Sequence, residues 1–229
     1  MNPVVGISTA SDGNMYDRHN DTDLVVIHNR EVFLQTLGSN LDRCVRVHVN
    51  ALVRANAHET NWCRYREVSS KDAGQGMRDS LTEHADALVT TTPGLALMLP
   101  VADCIGAAFF DPTNNVVMVS HLGRHSLEQQ GAAQSIDHLV STYGSNPRDI
   151  KIWLTPAAGK EHFPIWALNN QGMKEIAFSQ FAEKGVSLDN ITDNPADTTT
   201  DASYFSYSEF LKGNRPFDAD YAIVAMLSS

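Results

Sequence analysis

The sequence predicts a mixed α/β (α+β) layered sandwich. Apolar runs with the density or alternation of strands are interleaved with segments of helical periodicity. Hydrophobic residues make up 42% of the chain and charged residues 19%, which is typical of a globular protein with a sizeable core. The length of 229 residues suits one large domain or two closely fused lobes, and we predict that residues 1–229 form one domain.

The first third of the chain is predicted to run strand, helix, strand. Asp23–Asn29 has the apolar density of a strand, and the segment 29–38 is typical of a short helix with Asn29 as its cap. In RCVRVHVN, alternate valines predict a half-buried strand with His48 on the opposite face. The polar segment Arg54–Asp86 is predicted to be a long excursion with a helical turn.

A block of four strands is predicted next, formed by DALVTTT, GLALMLP, IGAAFFD and VVMVSH. Cys104 lies at the break between the second and third strands, and His121 ends the fourth. Ser126 and Gln129 have the spacing of a capping box, and the apolar residues that follow predict an amphipathic helix ending before Gly144.

The C-terminal third is predicted to continue the alternation. Asp149–Ala157 is typical of a strand, and Met173–Gly185 of a helix with a glycine stop. The Asp/Thr-rich segment Asp189–Ser203 is predicted to be a surface loop. Ala219–Leu227 has the apolar density of a buried strand.

Charge and cysteine content limit the classes of partner. Acidic residues outnumber basic ones 27 to 17, and no run of Lys or Arg forms a stripe that could contact a phosphate backbone. Both observations argue against nucleic acid as a partner. No apolar run approaches a membrane span, and no signal peptide is recognised at the N-terminus, so we expect a cytoplasmic protein. Three scattered cysteines do not suggest a disulfide framework and leave at least one thiol free. Protein partners and oligomeric state are not indicated.

His48, Cys104 and His121 are the candidate catalytic and metal-binding residues. Two imidazoles and a thiolate make a three-ligand zinc set with the fourth position open, and such a site lowers the pKa of bound water. Each residue also has a plain structural interpretation, because a cysteine in an apolar run is usually buried core and a histidine on a strand is often solvent-exposed. Cys104 as nucleophile with His121 as base is a second chemical interpretation.

The segment HADALVTTTPGLALMLPVADCIGAAFFDPTNNVVMVSHLG resembles the signature block of the laccase-domain (YfiH-like) family, once described as multicopper polyphenol oxidases. That block has a D-A-L-V-T strand, a P-G turn, an A-D-C motif, a D-P turn and then a histidine followed by x-G. RVHVN is similar to the family's Q-V-H-G segment, and YFSYSEF to its F-F-S-Y-R-R segment.

The resemblance implies a YfiH-like fold and a zinc ion held by His48, Cys104 and His121. It also implies phosphorolysis of purine nucleosides, with adenosine deamination as a further activity, so that a nucleoside and phosphate are the expected small-molecule partners. Copper oxidase chemistry fits three ligands poorly. Asp103, next to the thiol, is a candidate hydrogen-bond acceptor that orients an imidazole, or simply a turn residue.

Several positions depart from the family pattern. Arg124 stands where the family has tryptophan, and the paired arginines after F-S-Y are replaced by Ser208 and Glu209. Arg124 and Arg215 remain as candidate substrate-binding residues. His58 and His84 are rival ligands, of which His84 is the more plausible substitute for His48. A silent binding domain that keeps the fold is therefore a third interpretation.

Overall fold

The computed structural model describes residues 3–49, 62–81 and 83–228, and their strands form two sheets. The first sheet has four strands in the order β1 (Pro3–Ile7), β10 (Tyr221–Leu227), β5 (Ala96–Val101) and β2 (Cys44–Arg46). The second has six, in the order β3 (Trp62–Glu67), β4 (His84–Thr90), β7 (Val116–Leu122), β6 (Ile105–Asp111), β8 (Lys151–Leu154) and β9 (Ile191–Asp193). Pairing is antiparallel except for β2 with β5, β3 with β4, and β8 with β9.

Five α-helices cover or connect the sheets in the described ranges: α1 (Leu24–Thr36), α2 (Arg124–Glu128), α3 (Gly131–Tyr143), α4 (Met173–Glu183) and α5 (Tyr207–Leu211). Helix α1 packs on the outer face of the four-stranded sheet, where Leu34 joins a cluster with Met98 and Val224. Helices α3 and α4 cover the outer face of the six-stranded sheet. No described helix combines the length and the apolar character that crossing a bilayer requires.

The central strands are buried on both faces, which explains their continuous apolar sequences. In β10, Tyr221 and Ile223 face the other sheet, whereas Ala222 and Val224 face α1. In β6, Phe110 belongs to the cluster between the sheets and Phe109 to the cluster beneath α3 and α4. The result is a four-layered sandwich, helix on sheet on sheet on helix, which confirms the predicted fold class.

Most predicted elements are confirmed. The four-strand block is present as β4 to β7, and the final apolar segment is β10. The helix predicted over 173–185 is α4, and the strand predicted over 149–157 is β8, shortened to four residues. Cys44 is a free and fully buried thiol, as the cysteine count allowed.

The strand predicted over Asp23–Asn29 is wrong, because this segment forms the first turns of α1. The Asp23 carboxylate accepts hydrogen bonds from the N–H groups of Val25 at 2.8 Å and Val26 at 3.3 Å and so caps the helix. The apolar side chains that suggested a strand point to different sides of the helix, since Leu24 and Val25 are 80% and 67% exposed whereas Val26 is buried. Local capping therefore outweighs the β propensity of the valines.

Four further predictions fail in detail. Ser126 is buried inside α2 and does not cap the amphipathic helix, which begins at Gly131. The strand predicted in RCVRVHVN is not half-buried, because Cys44 and Arg46 are enclosed on its second face. The segment 189–203 contains β9 and the fully buried Thr198, so it is not only a surface loop. The excursion 54–86 contains the predicted helical turn, a 3₁₀ turn at Ser70–Asp72, but it also contains β3 and the start of β4. Residues 50–61 and 82 lie outside the described residues.

Candidate functional site

One cavity, here called the site cavity, contains all three predicted metal ligands in its wall. Its volume is about 570 Å³, which lies in the range of small-molecule sites. It opens where β2, β5, β7 and β10 begin or end, and the β5–β6 connection crosses there from one sheet to the other. The residues that line it are Tyr16, Arg18, Arg46, Val47, His48, Val49, Pro100, Val101, Ala102, Cys104, His121, Tyr207 and Asp220.

The crossing between the sheets fixes Asp103 and, with it, the neighbouring Cys104. Asp103 has φ +67°, a left-handed conformation that aspartate adopts more readily than most residues. Its carboxylate accepts a hydrogen bond from Thr198 Oγ1 at 2.8 Å and another from the Ser208 N–H at 2.7 Å. These contacts tie the crossing to the segment that contains Thr198 and to the first turn of α5, and neither donor is the imidazole expected from the sequence.

Cys104 and His121 converge on the backbone at Gly123. A Cβ atom at Gly123 would lie 2.8 Å from Cys104 Sγ and 3.1 Å from His121 Nε2, so the sulfur and the nitrogen lie within 3.1 Å of one point. The pairing of His121 with Gly106 in the β6–β7 ladder sets this register, since Cys104 immediately precedes β6. Gly123 has an ordinary extended backbone, with φ −88° and ψ 178°. Glycine is favoured here because the Cys104 sulfur and the His121 ring lie too close for a side chain.

His48 lies in the wall of the same cavity and is held at both ring nitrogens. Nδ1 is 3.0 Å from the Leu81 carbonyl oxygen, and Nε2 is 3.4 Å from the Tyr16 hydroxyl. A carbonyl only accepts, so Nδ1 carries the proton and donates it, which leaves the Nε2 lone pair directed towards Tyr16. Burial, as the main cause, lowers the pKa of His48 and favours the neutral ring that a metal ligand needs.

The rival ligand His84 lies beside His48, with the two ring centroids 4.4 Å apart. Nδ1 of His84 is buried and has no hydrogen-bond partner in the described part of the chain. His84 is not in the wall of the site cavity, whereas His48 is. His58, the other rival, lies outside the described residues.

The described residues contain no group of three His, Cys, Asp or Glu side chains positioned to hold a metal ion. Cys104 and His121 are brought together, and His48 faces the same cavity without joining them. The donor set itself suits zinc, because a thiolate and neutral imidazoles are its usual ligands. At Gly123, Cys104 Sγ and His121 Nε2 face a point that a Cβ atom would occupy, and we call this point the cradle. Two donor atoms directed at one point with no side chain in the way fit a bound ion.

The predicted substrate-binding arginines lie elsewhere. Arg124 lines a cavity with His125, His162 and Trp166, and Arg215 lines a third cavity with Tyr204 and Phe217. The structure thus does not bring either arginine into the site cavity.

Two arginines that sequence reasoning missed, Arg18 and Arg46, are present in that wall instead. The guanidinium of Arg18 lies 4.5 Å from the Tyr207 ring centroid, and that of Arg46 lies 5.0 Å from the Tyr16 ring centroid. Asp220 completes the charged part of the wall, and its Oδ1 accepts a hydrogen bond from Arg18 Nη2 at 2.6 Å. Neither arginine belongs to a recognisable motif, although Arg46 lies two residues before His48 in the same strand segment.

Comparison with known proteins identifies the family. Residues 4–175 match the family described as multi-copper polyphenol oxidoreductase laccase, which is three quarters of the chain. The chain belongs to this laccase family. The crystal structure of YfiH from Bacillus licheniformis matches with a TM-score of 0.79 at 21% identity, covering 99% of this chain and 93% of that one. YlmD from Geobacillus stearothermophilus matches with a TM-score of 0.79 at 19% identity, covering 99% and 92%.

Curated relatives of this laccase family member carry a different name. The purine nucleoside phosphorylase YlmD of Bacillus subtilis is 28% identical over 139 residues, which is 60% of this chain and 46% of the relative. The purine nucleoside phosphorylase ORF3 of Streptomyces griseus is 31% identical over 121 residues, which is 53% of this chain and 48% of the relative. The matched region spans less than half of these curated relatives. The family description names a metal enzyme, and the relatives' names indicate an enzyme acting on a small molecule.

Proposed function

We propose that this protein is a zinc-dependent enzyme acting on purine nucleosides, with His48, Cys104 and His121 as the zinc ligands. The observation that carries the proposal is the convergence of Cys104 Sγ and His121 Nε2 at Gly123, in a cavity whose wall also contains His48. The phosphorylase names of the curated relatives supply the substrate class. Deamination of adenosine is the second reaction within the same proposal.

A bound zinc ion would supply Lewis-acid charge to an oxygen held at the cradle. The residues of the chain do the remaining work. The Leu81 carbonyl fixes the His48 tautomer with an unprotonated Nε2, whose lone pair would exchange the Tyr16 hydroxyl for zinc. Asp103, anchored by Thr198 and the Ser208 N–H, holds the backbone that carries the thiol.

The apolar and aromatic parts of the wall suit a nucleoside. Val47, Val49 and Val101 offer apolar surface, and Tyr16 and Tyr207 offer rings against which a base can pack. We further propose that the protein works in the cytoplasm as a single domain spanning residues 1–229. The free Cys44 thiol is consistent with a reducing compartment.

Metal analysis and an activity assay test the proposal together. The purified protein should contain about one zinc per chain, and Cys104→Ala and His121→Ala should lose most of it. Gln129→Ala, on the exposed side of the α2–α3 junction, is the control and should retain it. Incubation with adenosine, inosine or guanosine should give a free base or inosine. Absence of product from every purine nucleoside in a zinc-loaded sample would overturn the proposal.

A metal-free cysteine hydrolase is the second candidate, and the same pair of residues favours it. Cys104 Sγ and His121 Nε2 both lie within 3.1 Å of one point at Gly123, an arrangement in which the imidazole would serve as base to the thiol. The two candidates differ in their response to chelation, because a cysteine hydrolase keeps its activity in EDTA. A protein that holds zinc but converts no substrate would instead be the silent binding domain.

A further inference from the structure

The cavity lined by Arg124, here called the Trp166 cavity, lies apart from the site cavity. Its volume is about 530 Å³, and among the described residues the two cavities share no lining residue. Trp166 lies in its wall with 81% of its surface exposed. Indole side chains are usually buried for most of their surface. An exposed indole beside a cavity therefore offers a flat apolar face on which a planar ring can stack.

Arg124 gives this cavity a guanidinium with which no carboxylate in the described part of the chain forms an ion pair. Its Nη2 lies 3.4 Å from His125 Nε2. Nδ1 of His125 lies in turn 3.4 Å from Glu128 Oε2. Because a guanidinium only donates and a carboxylate only accepts, the imidazole accepts from Arg124 and donates to Glu128. Glu128 is thus held by His125, and most N–H groups of Arg124 are left for a ligand.

His162, in the same wall, has one ring nitrogen fixed by the protein and the other available. Thr199 Oγ1 donates its one proton to Asp197 Oδ1 at 2.6 Å. The same oxygen lies 3.2 Å from His162 Nδ1 and can there only accept, so Nδ1 carries a proton. Nε2 has no hydrogen-bond partner within the ranges that the structure describes. It suits a hydroxyl group of a ligand, since a hydroxyl both donates and accepts.

We propose that the Trp166 cavity is a second ligand site, which binds a planar ring carrying hydroxyl groups and an anionic group, the chemistry of a nucleoside monophosphate. The ring stacks on Trp166, a hydroxyl bonds to His162 Nε2, and the anionic group accepts hydrogen bonds from Arg124. The whole chain carries a formal charge of −10, so these local contacts and not a general attraction for anions hold the ligand. The site makes and breaks no bond, and it depends neither on zinc nor on the proposed reaction.

Calorimetric titration of the zinc-loaded protein tests this site. Adenosine 5′-monophosphate should bind at least about fivefold more tightly than ribose 5-phosphate, which lacks the ring. Trp166→Ala should remove that difference, because it removes the surface on which the ring stacks. Arg124→Gln should weaken the binding of both probes by about tenfold or more, since the anionic group loses charge-assisted hydrogen bonds. Both side chains are exposed, so both variants should keep the fold.

Phe217→Ala and Arg215→Gln are the matched controls, because this ring and this guanidinium line a different cavity. Both should bind adenosine 5′-monophosphate as wild type does, and an equal loss in the controls would overturn the inference. No binding of this probe, or binding that Trp166→Ala and Arg124→Gln leave unchanged, would also overturn it while leaving the proposed function intact. Sedimentation without ligand tests a second copy of the chain as the occupant. A wild-type dimer that Trp166→Ala converts to a monomer would overturn the inference, because the partner would then cover the indole.

Discussion

Replacing Gly123 with alanine tests whether the cradle formed by Cys104 and His121 is a binding site. The added Cβ would lie 2.8 Å from Cys104 Sγ and 2.8 Å from His121 Cε1, distances that real Cβ atoms essentially never show. The backbone at Gly123 is extended and accepts alanine, so the cost arises only from crowding. Overpacking of this kind costs about 1–3 kcal/mol.

The same crowding should displace at least one donor atom. We expect the zinc dissociation constant of Gly123→Ala to rise by roughly 10- to 100-fold, the effect seen when the support of a metal ligand is removed. The assay is competition with a chromophoric zinc chelator, followed by urea unfolding of the metal-free protein.

Gly172→Ala is a matched control. Gly172 also precedes a helix and has an extended backbone, with φ −76° and ψ 153°. The three atoms nearest to its Cβ would all belong to Lys160, the first at 3.1 Å. This variant should bind zinc as wild type does. Normal zinc binding by Gly123→Ala would refute the assignment of the cradle as a metal site, whatever its effect on stability.

Three further predictions concern charge and burial elsewhere in the fold. Asp21→Asn should destabilise the protein by about 3–5 kcal/mol in urea unfolding, because the buried Arg30 and Arg46 lose their shared carboxylate. As the control, Asp42→Asn at the exposed pair with Arg78 should cost less than about 1 kcal/mol. Asp220 binds its proton more tightly in the folded state, with a pKa of about 6 against 3.8, so its contribution to stability falls as pH rises through this window. The unfolding free energy of wild type should therefore fall relative to that of Asp220→Asn by up to about 3 kcal/mol between pH 4 and pH 7. A difference that does not change with pH would contradict the burial of Asp220. Cys44 is fully buried, and burial raises the pKa of its thiol. In the metal-free protein, alkylation followed by peptide mass spectrometry should therefore find Cys104 in the cavity wall modified first, and Cys44 modified only after urea unfolds the chain.

The elements that the sequence predicted well are those whose pattern reflects burial. Strands β4 to β7 and β10 are apolar on both faces because each lies between another sheet and a helical layer, so their runs are continuous and easily recognised. Helix α4 is also predicted, with Gly185 as its stop.

The start of the N-terminal helix is assigned wrongly because its first turn is apolar yet exposed, whereas the helix predicted from residue 29 onwards is part of α1. Leu24 and Val25 lie on the outside of α1, and a single carboxylate cap decides the conformation. Periodicity reports which residues are buried, and here two of the apolar residues, Leu24 and Val25, are exposed although Val26 is buried. Asp23 was the available signal, since aspartate immediately before an apolar run is a common helix start.

The sequence by itself determined the layered α/β class, the family resemblance, and three residue types suited to a metal. It placed Cys104 at a strand break and His121 near a strand end, and both lie in one cavity wall. Only the tertiary structure decided which charged side chains, Arg18, Arg46 and Asp220, line the same cavity. Arg18 and Asp220 are about two hundred positions apart in the chain, yet they share a hydrogen bond because β10 returns beside β5 at the crossing between the sheets. Pairing between strands distant in sequence depends on the whole fold, so no local pattern could have brought these groups together or shown that carboxylates already occupy the arginines.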